Sequence, residues 1–233
     1  MGTIKQGILG GFSGRVGTVI GSNWKSVHYM RALATNISNP RTEKQQCQRT
    51  KFSIAISFLT TITPFLRVGY KSYATDQSAF NAAMSYTMKN AMTGCGDALA
   101  LDYEKVLVAH GNLTATVDAT VRIEGNKASY KWTDNSNSGN AKTKDAAMLL
   151  VYNKDKREAV YSMNAATRSD AKAELTLPAS WSDNAMAIYL SFCSEDGKSV
   201  TNSVCLKNDA SEGDSGNTNP GGGSGDENDN PLG

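Results

Sequence analysis

Residues 185–206, AMAIYLSFCSEDGKSVTNSVCL, read as two β-strands and the turn between them. Met186, Ile188, Leu190 and Phe192 alternate onto one face of the first strand, and Glu195, Asp196 and Gly197 carry the turn chemistry. Two registers are open. A two-residue Asp196-Gly197 turn sets Cys193 opposite Val200, whereas a three-residue loop with Gly197 in the left-handed region sets it opposite Ser199. The longer loop is favoured because it places Val200 and Val204 on the face of Phe192 and Ile188. Neither register brings Cys193 to Cys205, so both read as free thiols, consistent with a reducing compartment.

Working upstream, short β-type runs recur from about residue 103: EKVLVA, TATVDATVRI, KASYKWT, AMLLVYN, EAVYSM and AELTLP. Turn-rich segments such as DNSNSGN and NKDK separate them. Seven or eight such strands predict an antiparallel β-sandwich over residues 103–207, with Trp132 as a central core residue on the face it shares with Ala128 and Tyr130. Downstream, residues 208–233 hold six acids, no base and almost no apolar side chain, so burial cannot offset their ordering entropy. A disordered acidic tail is expected there.

Residues 1–102 have a different texture. Val16–Gly21 and Val27–Arg31 are expected to form a hairpin across a Ser22-Asn23-Trp24-Lys25 turn, with glycines along its first arm. In PRTEKQQCQRTKFSIAISFLTTIT, Pro40 suits a first helical turn, and Thr42 with Gln45 has capping-box spacing. Phe52, Ala55, Ile56, Leu59 and Ile62 then make an apolar stripe that ends near Pro64. A second helix, capped by Asp76, carries Phe80, Met84, Met88 and Ala91 on one face and stops at Gly94. The two helices are expected to pair beneath the hairpin, giving an α+β protein.

The chemistry is mostly exclusion. GFSGRVGTV misses the kinase glycine spacing by one residue, no Gly-Lys-Ser/Thr follows Gly21, and a strand rather than a helix follows the glycines. Close backbone approach explains these glycines better than a bound phosphate. Two histidines, His28 and His110, and four cysteines without CxxC spacing suit neither a zinc site nor a nucleophile–base pair. Asp134, Asp145 and Asp183 read as turn residues rather than a carboxylate pair or calcium loop. No catalytic residue, cofactor or metal is expected. No apolar run reaches the ~20 residues of a membrane span, and the N-terminus lacks a signal-type apolar centre, which leads to an expectation of a cytoplasmic product.

The charge is polarised. Residues 1–71 hold ten Lys and Arg against Glu43 alone. With Phe12, Trp24 and Tyr29 interleaved, this basic front suits a protein interface or, alternatively, phosphate neutralisation and base stacking on nucleic acid. The candidate interaction surface is Arg15, Gly17, Gly21, Trp24, Lys25, Tyr29 and Arg31.

MGTIKQGILGGFSGRVGTVIGSNWK, NPRTEKQQCQRTKF, YKWTDNSNSGNA, LLVYN and FCSEDGKSVTNS together resemble an uncharacterised family found mainly in Bacteroidota, a domain of unknown function, over about residues 1–206. NPRTEKQQCQRTKF is also similar to a motif of small prophage proteins, which implies a phage or mobile-element origin. The second half resembles fibronectin type III and Ig-like modules through Trp132, Leu175, Leu177 and AMAIYLSFCSEDGK, and such modules act as spacers or binding surfaces. These readings converge on a non-enzymatic structural or interaction protein, a virion or surface-assembly component that binds protein or itself, with nucleic-acid binding as the alternative.

Overall fold

The computed structural model describes residues 2–4, 10–24, 27–35, 41–75, 77–94, 98–182 and 184–209. It is a mixed α/β fold with antiparallel sheets. The N-terminal strands are β1 (Thr3–Ile4), β2 (Phe12–Val16), β3 (Val19–Trp24) and β4 (Val27–Ala32). Helices α1 (Glu43–Thr61), α2 (Thr63–Gly69) and α3 (Ala79–Asn90) follow, then a small pair, β5 (Met92–Thr93) with β6 (Ala100–Leu101). The remaining strands are β7 (Val117–Glu124), β8 (Lys127–Thr133), β9 (Ala146–Asn153), β10 (Glu158–Ser162), β11 (Lys172–Thr176), β12 (Met186–Cys193) and β13 (Val204–Leu206).

These seven form two sheets, ordered β10-β9-β12-β13 and β11-β8-β7. The apolar runs of β9 and β12 pair side by side, and both strands are buried almost end to end. Strand alternation sends Ala147, Leu149, Val151, Ile188, Leu190 and Phe192 into one core. There they meet Val121, Ala128, Tyr130, Trp132 and Leu175 of the other sheet. The opposite face supplies Met148, Leu150, Tyr152, Ala187, Tyr189 and Cys193 to a second core with Phe58, Leu59, Phe65, Leu66, Tyr70 and Ala83 of the helical region. The helices therefore cover the outer face of the β9–β12 sheet and do not lie beneath the N-terminal hairpin: no residue of β1–β4 enters either core.

The helix ends follow their capping residues. Thr42 accepts a hydrogen bond from the Gln45 amide at 3.4 Å. α1 stops at Thr61, and Pro64 sits in the first turn of α2 instead of closing the segment, so the chain bends by 86° there. Ala55, Leu59 and Ile62 of the expected stripe are buried, but Phe58 replaces Phe52 and Ile56, which lie exposed. On α3 the cap is Ser78, which accepts from the Asn81 amide at 3.1 Å, and Asp76 falls outside the described residues. No single described helix is long and apolar enough to cross a membrane, and most apolar residues of the bent α1–α2 pair, Phe52 and Ile56 apart, pack into the core.

Two strand expectations are corrected. EKVLVA is not a strand: its amides and carbonyls are taken by other partners. The Val108 amide donates to Ser203 Oγ at 2.9 Å, Tyr70 Oη donates to the Leu107 carbonyl, and Ser203 donates to the Ala109 carbonyl. The His110 amide donates to the Gly69 carbonyl at 2.9 Å, where a Cβ on Gly69 would press on the backbone of Val108 and Ala109. In the last hairpin, Gly197 has φ +64 as anticipated, yet Cys193 lies opposite Val200, not Ser199. Val200 thus joins the helix-side core while Val204, opposite Leu190, faces the sheet-side core. One extra residue between Val200 and Val204 absorbs the difference, because Ser203 and Thr201 turn aside to bond Ala109 and Phe192. Asn208 and Asp209, placed by the sequence reading in the tail, bond to Ile123 and Val121 on β7; the rest of that segment lies outside the described residues.

One end of the sheet-side core is closed by a buried ion pair. Arg168 and Asp145 are both fully buried with Nε and Oδ2 3.2 Å apart. Arg168 Nη1 donates to Asn135 Oδ1 at 2.6 Å, Nη2 donates to the Thr114 carbonyl, and the guanidinium lies 4.2 Å over the Phe192 ring. Burial pulls the Arg168 pKa down while the Asp145 carboxylate opposes that shift. Trp132 Nε1 donates to the Arg168 carbonyl at 2.8 Å, and its ring meets Phe192 edge-on at 5.3 Å.

Trp132→Ala is expected to cost about 3–5 kcal/mol, the range for large aromatic truncations in cores, measured as a shift in the chemical-denaturation midpoint. A loss well under about 1 kcal/mol would place the ring outside the core. Arg168→Met is expected to cost about 3–5 kcal/mol because it strands a buried carboxylate, and Asp145→Leu on that background should recover part of the loss. No recovery in the double variant would mean that the hydrogen bonds to Asn135 and Thr114, and not the charge pairing, carry the effect.

Candidate interaction surface

The glycine-rich stretch folds as a hairpin inside itself. β2 and β3 pair through Val16↔Val19 across Gly17 and Thr18, a turn the sequence pattern did not mark, while the expected hairpin forms as β3 with β4, where Ser22, Asn23 and Trp24 are strand and Trp24 lies opposite Val27. Gly17 has φ +59 and Thr18 does not share a positive φ, which matches a two-residue turn of type II′ with glycine first. Gly21 faces Gly14 across the pair, and a Cβ on Gly21 would run into the Phe12 carbonyl and ring. This is close backbone approach, the reading favoured over phosphate binding.

Alternation then sorts the side chains. β3 pairs β4 from Val19↔Ala32 to Trp24↔Val27, and β1 pairs β2 at Ile4↔Phe12. One face carries Phe12, Val16, Val19 and Met30. The other carries Arg15, Ile20, Trp24, Val27, Tyr29 and Arg31, with the two arginines on either side of Ile20. Trp24, Val27 and Met30 are 55%, 65% and 70% exposed, so large apolar side chains meet solvent on both faces. Among the described residues no further strand pairs with the outer edge of β4.

Of the residues singled out from sequence, Arg15, Trp24, Tyr29 and Arg31 therefore come together on one face. Gly21 lies on the other and Gly17 shapes the turn. Lys25 lies outside the described residues. The Arg15 Nε donates to the Gly17 carbonyl at 3.0 Å, tying the cation to the turn. Val27 and Met30 were missed. Their signal was the alternation of VHYMRA once that run is read as a two-sided strand.

Elsewhere the structure assembles little reactive chemistry. His110 stacks on Tyr73 with centroids 4.2 Å apart, and burial lowers its pKa. Asp134 is exposed and accepts from the Ser136 amide, a turn contact, while Asp145 is held by Arg168 and Asp183 lies outside the described residues. No cluster of three metal-ligating residues occurs among the described residues. Cys193 and Cys205 are free thiols whose pKa values burial pushes up. Cys47 on α1, by contrast, is disulfide-bonded.

A family model matches residues 11–207, and the chain belongs to that family, DUF6266, a family of unknown function. Comparison with curated proteins gives no match.

Gly17→Val should cost the hairpin about 1–3 kcal/mol through its left-handed φ, while Gly17→Asn should be tolerated. Gly21→Val should displace Phe12. Amide exchange would speed up across residues 12–24 in both valine variants, with thermal unfolding of the two cores unchanged. A drop in core stability would show that the sheet is coupled to the cores.

Proposed function

We propose that this member of a family without an assigned activity is a non-enzymatic assembly component, in which the N-terminal sheet docks on protein, further copies of the chain first among them. The observation that carries this reading is a sheet with large apolar residues exposed on both faces and no share in either core. A free sheet edge and two apolar faces are the features by which strands add to a neighbour and bury one another. The resemblance of the 39–52 segment to prophage proteins makes a virion or surface array the fitting kind of assembly.

The strand orders β11-β8-β7 and β10-β9-β12-β13 support reading residues 117–206 as a fibronectin-III-like module, with the strand after β9 paired to β9 itself. In this reading the module is a spacer whose outer face is sealed by the helices and whose binding is delegated to the N-terminal sheet. A second reading rests on one specific feature: Arg15, Arg31, Trp24 and Tyr29 share a face, the basic-plus-aromatic set that grips nucleic acid.

Size-exclusion chromatography with light scattering, at rising concentration and with and without nuclease, separates the two. Self-association should be present in wild type and be reduced by Met30→Glu on one face and Trp24→Ser on the other, with circular dichroism unchanged. A chain that stays monomeric at high concentration and low salt, yet binds DNA with an affinity falling steeply as salt rises, would replace the assembly reading with the nucleic-acid one.

A further inference from the structure

A cavity of about 390 Å3 opens between α1, residues 99–103 and the end of β9 with its turn into β10. Its walls are aromatic. Tyr103 and Tyr152 lie 5.8 Å apart at 29°, and Phe58 meets Tyr152 edge-on at 4.7 Å. Its polar groups are the hydroxyls of Ser53, Ser57 and the two tyrosines, with Lys154 and Arg157 supplying charge. No described acid lines it.

Neither Lys154 nor Arg157 forms an ion pair among the described residues. The neighbouring acids are engaged elsewhere: Asp102 with Lys105 at 2.9 Å, Glu104 with Lys207 at 3.0 Å, and Asp155 with Asn184 Nδ2 and the Ala185 amide. Lys154 Nζ lies 4.8 Å from the centre of the Tyr103 ring, which holds it over the aromatic wall.

Arg157 is also held in an unfavourable backbone state. Its φ is +58, a region that a long L side chain rarely adopts. The turn that imposes it is fixed by Asn153, whose side chain accepts the Asp155 and Lys156 amides and whose carbonyl accepts the Arg157 amide at 2.9 Å. Glycine or asparagine would satisfy that φ at less cost, so an arginine there trades backbone strain for a cation at the cavity rim.

We propose that this cavity binds a small organic oxyanion with a flat apolar body, its charge held by Lys154 and Arg157 and its body laid against Tyr103 and Tyr152. Lysine and arginine only donate, and hydroxyls complete a donor-rich set for carboxylate or phosphate oxygens. Burial pushes the Tyr152 pKa up to about 12, so its hydroxyl stays a neutral donor at physiological pH. The volume falls within the range of small-ligand sites.

The test is calorimetric titration of the full chain with benzoate and with phenyl phosphate, using benzylamine as the opposite-charge control. Both anions should bind saturably and benzylamine should not. Arg157→Asn fits the turn while removing the charge, so it should weaken anion binding about tenfold or more at equal or higher thermal stability, and Lys154→Gln should do the same at unchanged stability. Absence of anion binding by wild type, equal binding of benzylamine, or undiminished binding in the folded double variant would each overturn the site.

Discussion

The eight-residue pairing of β9 with β12 is the constraint on which the fold turns, because both strands are buried on both faces. A strand with one solvated face can slip by a residue and lose only its amphipathic match. Here a slip would exchange the whole sets Met148, Leu150, Tyr152 and Ala147, Leu149, Val151 between two differently shaped cores. The large residues on the helix side meet bulky aromatics such as Phe58, which packs against both Tyr103 and Tyr152. The sheet side is set by the Trp132–Phe192 contact. Helices and second sheet thus hold one register from opposite directions. That is why residues 43–109, which look like a separate unit in sequence, share a core with residues 148–205.

The Arg168–Asp145 pair deals with a different problem, which is how to end a sandwich where several loops converge. A buried ion pair adds little net stability, since desolvation consumes most of the attraction. Its value lies in directionality. One planar group faces Asp145 through Nε and donates from its two terminal nitrogens to Asn135 and the Thr114 carbonyl, tying together three loops that apolar packing alone would leave free to slide. The same residue's carbonyl receives the Trp132 indole, so the most demanding core side chain is oriented by the backbone of the group that closes the end.

Much of this was legible in the sequence where one face decides the pattern. Ala128, Tyr130 and Trp132 alternate in β8 and all three are buried. The Thr42 cap was readable because its partner is local. What escaped was non-local. EKVLVA has strand composition, but a strand needs a free neighbour, and its backbone groups were claimed by Ser203 and Tyr70. The Val200 register looked wrong from one hairpin face only because the opposite face was also a core. Phe52 and Ile56 sat at the right helical spacing, but the buried face of α1 runs through Ala55, Phe58 and Leu59 and leaves those two on its exposed side. In the candidate surface, the aromatic and basic members were visible as residue types. The one-residue placement of the Gly17 turn, which decides who shares a face, was not.

The N-terminal sheet obeys the same alternation rule with a different outcome. Gly14 and Gly21 lie opposite one another, leaving a flat spot against which Phe12 lies, and Val16, Val19, Trp24, Val27 and Met30 remain at the surface. Ordering each backbone residue costs about 1–2 kcal/mol, and ladder hydrogen bonds do little more than replace those made to water. In β9 and β12 the deficit is met twice over, once on each face. In β2–β4 neither core meets it, since among the described residues neither core receives a residue from them. An antiparallel sheet of this kind needs one covered face to be well stabilised. The burial that would complete it is not present within the chain's own cores, and this imbalance, rather than any reactive group, is the physical ground for proposing that the sheet finishes folding against another molecule.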